Sequence, residues 1–248
     1  MFGDLHIHMI LDGVYYRAAI DAQKEHPLDG LVRARLSDYQ TRGVCLLRDG
    51  GDAWGVSLRA RELAGEYGID YRSPAFPIYR RGHYGAFIGR GFDTEDEYRA
   101  LLDEAGEKRA DFIKLMISGL IDFAHFGVLT EPGPEPQDIR RMIELAHAAG
   151  FAVMAHANGD RAVTAALQAR VDSIEHGAYL SESVLLRMAQ QRTLWVPTLS
   201  TIGNLIGSGR YPDAVLKRLL APAAGRPSAL SPRTAAASAS AAMPGRGM

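Results

Sequence analysis

Apolar residues along this chain follow two periods in turn. Short runs bounded by turn residues read as strands at about 4–9, 41–47, 71–78, 111–118, 151–155, 171–174 and 194–199. Between the later ones the spacing is helical, over 56–67, 94–108, 137–149, 160–170 and 181–191. Punctuation supports this. Thr94-Glu95-Asp96-Glu97 is a helix start with acids in its first turn, and Gly68 and Gly150 are stops. Repeated βα units with short connections predict a parallel sheet covered by helices. About seven such units predict an incomplete TIM-like (β/α)8 barrel, whose chemistry sits at the carboxyl ends of its strands. An open doubly wound sheet gives the same alternation but does not need polar residues at the ends of four separate strands.

Length allows one large barrel or two small domains. A formal net charge of −1 with no basic block excludes nucleic acid and anionic membrane surfaces as main partners. The single Cys45 cannot form a disulfide within the chain. No apolar run reaches membrane-span length, and Asp4, His6 and His8 interrupt any signal-peptide core, so a cytoplasmic setting is expected.

The candidate chemistry begins with His6 and His8. On a strand their side chains share one face, opposite Leu5 and Ile7, so both can reach one metal. Eight histidines in 248 residues give roughly 0.26 such pairs by chance, so the pair needs company. It has company at later strand ends: Lys114 in the fourth strand, His156 closing the fifth and His176 closing the sixth. A lone histidine is more often an ordinary polar residue, which is how His26, His125 and His147 are read. A bare lysine charge in a central strand would be costly.

The motifs Ala155-His156-Ala157-Asn158-Gly159, Ser173-Ile174-Glu175-His176-Gly177 and Val196-Pro197-Thr198, taken with the His6/His8 pair, resemble the amidohydrolase superfamily. Its imidazolonepropionase-like and Xaa-Pro dipeptidase-like branch is the most similar, over about Asp4 to Thr201, and Gly82-His83 matches a Gly-His of that branch. The resemblance implies one or two zinc ions, or another divalent metal, held by His6 and His8 and by His156 and His176. Lys114, carboxylated by carbon dioxide, would bridge them as an oxygen donor. It further implies hydrolysis of C–N bonds in small amides, dipeptides or cyclic amides by metal-activated hydroxide. His83 and Tyr84 are candidate substrate contacts or plain loop residues. Glu175 either orients a ligand or faces the helices.

The pattern departs from that family in places. The metal-binding aspartate expected at the end of strand eight is not found; Asp213, the only aspartate after His176, reads as a helix start over 212–220. From Ala221 to Met248 acidic and aromatic residues are absent, which predicts a disordered tail after a barrel domain over 1–220. A reading-frame shift would produce such a tail, and with Met1 three residues before the first strand a barrel without the β-sandwich that often precedes it in that branch is the expectation. The expectation is an unclosed barrel with exposed edges that favour homo-oligomers. Two readings follow: an amide or dipeptide hydrolase, or a degenerate barrel that binds metal without turnover.

Overall fold

The computed structural model describes residues 2–224, with side chains to Leu220. Of the disordered tail expected over 221–248, residues 221–224 are instead the end of a helix, and 225–248 lie outside the described residues. Elements alternate: β1 (Phe2–Ile7), α1 (Tyr16–Asp21), α2 (Asp29–Thr41), β2 (Val44–Asp49), α3 (Val56–Ala64), β3 (Asp70–Arg72), β4 (Pro77–Arg80) and β5 (Arg90–Phe92). Then come α4 (Glu95–Glu107), β6 (Ile113–Met116), α5 (Pro136–Ala148), β7 (Val153–Ala157) and α6 (Gly159–Gln168). The last are β8 (Ser173–His176), α7 (Glu182–Gln191), β9 (Leu194–Val196), α8 (Leu199–Gly203) and α9 (Asp213–Ala224). Among the described residues no helix is long and apolar enough to cross a membrane.

The described residues form two compact units, 2–117 with 142–154, and 118–141 with 155–224. Both α5 and β7 therefore have residues in each unit.

In the first unit β1, β2 and β3 form a parallel sheet, with Ile7 opposite Asp49 and Leu47 opposite Tyr71. Ile7, Ile10, Val32, Leu36, Leu47 and Val56 bury their side chains in its core, each contributing roughly 1.5–3 kcal/mol. A further parallel set runs β5-β4-β6, with Lys114 opposite Pro77. The Ile113 N–H donates to Ala152 O at 2.9 Å, which places the start of β7 beside β6. Strand β6 is buried at every position, as a parallel strand covered on both faces should be. Helix α4 starts as its sequence predicts: Thr94 Oγ1 accepts from the Glu97 N–H at 3.2 Å, and Glu95, Asp96 and Glu97 fill the first turn.

In the second unit the Gly177 N–H donates to Ala157 O at 3.0 Å, aligning the end of β7 with β8. Strands β8 and β9 pair in parallel with Ile174 opposite Trp195. Ile202 on α8 and Leu216 and Leu219 on α9 cluster with Phe126 and Tyr179.

The structure is α/β with parallel strands, and it redraws several expected elements and adds α1, β5 and α8 beyond those expected. The run 71–78 is two strands, because Pro74 offers no N–H and Ala75 sits at φ 66°, so the ladder stops at Arg72 and restarts at Pro77. Helix α2 carries only Val32 and Leu36 as buried residues, too narrow a stripe to announce itself in sequence. Strand β9 ends at Val196, ahead of a left-handed Thr198. Helix α9 starts at Asp213 as expected and passes Leu220 to reach Ala224.

Candidate functional site

His6 and His8 stand at the carboxyl end of β1, their rings 5.6 Å apart and edge-on. Asp4 Oδ1 accepts from the His6 N–H at 3.2 Å, and burial pushes that carboxyl above its ordinary range. His8 lies just past the strand. Its Nδ1–H donates to Gly51 O at 3.0 Å, since a carbonyl can only accept, and this leaves the ring lone pair on Nε2. Gly50 lies against the same ring: a Cβ there would fall 2.4 Å from Cε1 and 2.6 Å from Nε2.

Sequence reasoning missed the residue that builds this cradle. Asp49, at the end of β2, is fully buried and accepts from the Met9 N–H at 3.0 Å, the Gly51 N–H at 2.6 Å and the Tyr71 hydroxyl. Burial raises its pKa against the pull of those donors. Behind it Asp52 accepts from the N–H groups of Trp54, Val56 and Ser57, capping the start of α3 that Gly55 cannot cap. Burial, then the Asp49 charge, pushes the Asp52 carboxyl up to about 6. The signal was present as the acid-glycine run Asp49-Gly50-Gly51-Asp52, which reads equally well as a turn.

Lys114 lies in β6 with 1% of its surface exposed, in the same unit as the first histidine pair. His83 and Tyr84 lie in the loop after β4. Tyr84 stacks at 5.4 Å on Phe87, which in turn meets Tyr16 edge-on at 5.9 Å. Burial raises the Tyr84 hydroxyl well above its ordinary pKa.

The second unit brings His156 and His176 together, ring centroids 4.5 Å apart. His156 is buried, and its Nε2–H donates to Gly119 O at 3.2 Å, which leaves the lone pair on Nδ1. His176 Nδ1 lies 2.7 Å from Thr198 Oγ1, while the Trp195 indole N–H donates to His176 O at 3.0 Å. Both His176 and Thr198 have positive φ, uncommon for any side chain and a strain for β-branched threonine. Asn158 ties the loops: its Nδ2 donates to Gly119 O at 3.1 Å and its Oδ1 accepts from the Ala178 N–H at 3.0 Å. Glu175 is fully buried and accepts from Ser173 Oγ at 2.8 Å. His176 also borders a cavity of about 280 Å³ whose other walls include Phe126, Tyr179, Leu185, Trp195 and Ile202. His125 pairs instead with Asp122 at the surface, in keeping with an ordinary polar role.

Each pair is complete within its own unit. Within neither unit, among the described residues, are three or more His, Cys, Asp or Glu side chains gathered as a metal site. The donors themselves suit a divalent cation: His8 and His156 are each held in one tautomer by a backbone carbonyl, the usual way a metal-binding imidazole is oriented.

The fold matches known proteins. The crystal structure of Aspergillus niger ochratoxinase superposes with a TM-score of 0.68 at 20% identity, over 88% of this chain and 57% of that one. A Xaa-Pro dipeptidase with methionine bound in its active site gives 0.64 at 18%, over 88% and 58%. This is the fold of the TIM-barrel amidohydrolases. Sequence agrees with the fold: the ochratoxinase is 28% identical over 173 residues, covering 67% of this chain and 33% of the enzyme. An uncharacterized protein of Mycobacterium tuberculosis is 35% identical over 181 residues, 68% of this chain and 45% of that protein. The chain thus spans between a third and a half of the length of these two relatives. No protein-family model matches it.

Proposed function

We propose that the chain carries the metal-dependent hydrolase chemistry of its amidohydrolase relatives, cleaving C–N bonds in small amides, dipeptides or cyclic amides. The observation that carries this reading is the pair of histidine clusters, each at a strand's carboxyl end and each with one ring, His8 or His156, whose tautomer a backbone carbonyl sets. His6 and His8 are one ligand pair, His156 and His176 the other, and buried Lys114, once carboxylated by carbon dioxide, is the anionic oxygen donor. Zinc is the favoured ion for imidazole and carboxylate-like oxygen, with other divalent metals as substitutes. When bound, such an ion polarises the scissile carbonyl and activates water.

The protein's own groups do the rest. The buried end of β7 keeps His156 out of bulk water, and the apolar cavity beside His176 favours a substrate with an aliphatic or aromatic side group. Tyr84 and His83 are further substrate contacts. A cytoplasmic setting and self-association belong to the same reading.

The test loads purified full-length protein with zinc in bicarbonate, measures bound metal, and screens N-acyl amino acids and Xaa-Pro dipeptides. Turnover that His156→Ala abolishes supports the hydrolase. Stoichiometric metal without turnover supports a binding barrel instead, and no retained metal removes both.

A further inference from the structure

Nothing in the ligand set explains why a carboxylate is buried at the end of β2. Donors to Asp49 come from several segments: the Met9 N–H just past β1, the Gly51 N–H in the turn after β2, the Tyr71 hydroxyl on β3 and the Ser57 hydroxyl on α3. The carboxylate therefore pins these segments at one point, next to the Gly51 whose carbonyl meets the His8 ring. Gly50 N–H donates to Ile7 O at 2.8 Å, and Leu11 N–H donates to His8 O at 2.9 Å, so the backbone on both sides of His8 is tied as well. Gly51 is held on both sides: its N–H donates to Asp49 and its carbonyl accepts from the His8 ring. Neither glycine can be exchanged freely. A Cβ at Gly50 would strike the imidazole, and at Gly51 (φ 81°) it would lie 2.9 Å from the Pro74 ring and 3.0 Å from Phe76 Cα.

We propose that Asp49 is a positioning residue for His8. By fixing the Gly50-Gly51 turn it presents one carbonyl to His8 Nδ1 and so commits the ring to the tautomer whose Nε2 lone pair can bind a divalent cation. Tyr71 steadies the same carboxylate from β3. The proposal rests on the reading of His8 as a ligand, and its test separates the two.

The experiment uses full-length protein, wild type and the variants Asp49→Asn, Tyr71→Phe, Gly50→Ala and His8→Ala. Histidine tautomers are read from side-chain 15N shifts in the metal-free state, and zinc affinity from competition with a chromophoric chelator. Asp49→Asn sets an amide N–H₂ against a backbone donor. It is expected to shift the His8 tautomer signal alone, leaving those of His156 and His176 in place, and to weaken zinc about 10- to 100-fold. Gly50→Ala should do the same by displacing the ring, and Tyr71→Phe should move both readouts the same way by less. A merely structural role would lower the melting temperature without singling out His8. If His8→Ala weakens zinc while Asp49→Asn and Tyr71→Phe leave tautomer and affinity unchanged, the positioning role is overturned and the ligand reading stands. If His8→Ala leaves zinc affinity unchanged, the ligand reading fails and the positioning role falls with it. Should Asp49→Asn not fold, Tyr71→Phe and Gly50→Ala decide: an unmoved His8 signal in both overturns the proposal.

Discussion

His176 Nδ1 and Thr198 Oγ1 meet at 2.7 Å across two residues that both hold left-handed backbone, φ 69° and 47°. Threonine tolerates that conformation poorly, at a cost of order 1–3 kcal/mol, and the hydrogen bond returns only about 0.5–1.5 kcal/mol. The strain is thus not explained by stability alone. Replacing Thr198 with glycine relaxes the backbone while deleting the hydroxyl. The expected outcome is a melting temperature within a few degrees of wild type together with zinc affinity lowered about tenfold, measured by calorimetry and chelator competition.

Asn158 should behave differently, because its amide is buried and used at both ends. Asn158→Ala leaves Gly119 O with one fewer donor and Ala178 N–H without its side-chain acceptor, an expected loss of about 1–3 kcal/mol for a buried group so exposed. Asn158→Asp should cost more, since a carboxylate oxygen would face the Gly119 carbonyl. Urea unfolding of the three proteins gives the order.

The Asp52 carboxyl makes stability depend on pH with a definite sign. Its ordinary value is 3.8, and in the fold it rises to about 6, mainly from burial. Between those values the folded protein keeps a proton that the unfolded chain releases, so stability falls as pH rises through the window, by about 1.4 kcal/mol for each pH unit crossed. Burial moves Asp4 and Asp49 in the same direction. Urea midpoints at pH 4, 5, 6 and 7 should decline for wild type and less steeply for Asp52→Asn, in which Asp4 and Asp49 remain; equal slopes in both would contradict the assignment.

Lys114 offers a separation of fold from chemistry. Methionine fills nearly the same volume but carries no amine to be carboxylated. Lys114→Met is expected to lose retained metal while still unfolding cooperatively, read by elemental analysis after dialysis into bicarbonate buffer and by urea unfolding.

Much of this molecule was legible in the amino-acid order. Strands β6, β7 and β8 announce themselves as short buried runs, and the histidines near the carboxyl ends of the last two are where the alternation placed them, although β7 continues one residue past His156. What stayed hidden depends on partners distant in sequence. Asp49 looks like a turn residue until Met9 and Tyr71 are seen to donate to it. Asn158 occupies a helix N-cap position yet makes no cap bond, its side chain being diverted to Gly119 and Ala178. Local rules predict capping there, and loop stitching wins because the Ala178 N–H takes the Asn158 Oδ1 as its acceptor while the Nδ2 adds a second donor to Gly119 O beside His156.

The interleaving of the two units along the chain bears on how the protein is made. A ribosome releases residues 2–117 well before 142–154, so the first unit must wait with part of its packing missing while the whole of 118–141 is translated. Nascent chains arrested near residue 130 should therefore bind chaperones and yield to protease, and arrest beyond residue 200 should restore resistance in the early segment. A gene split at residue 118 would leave the second unit's residues together and strip 142–154 from the first, so the amino-terminal half expressed alone should aggregate, and should refold when mixed from denaturant with the other half.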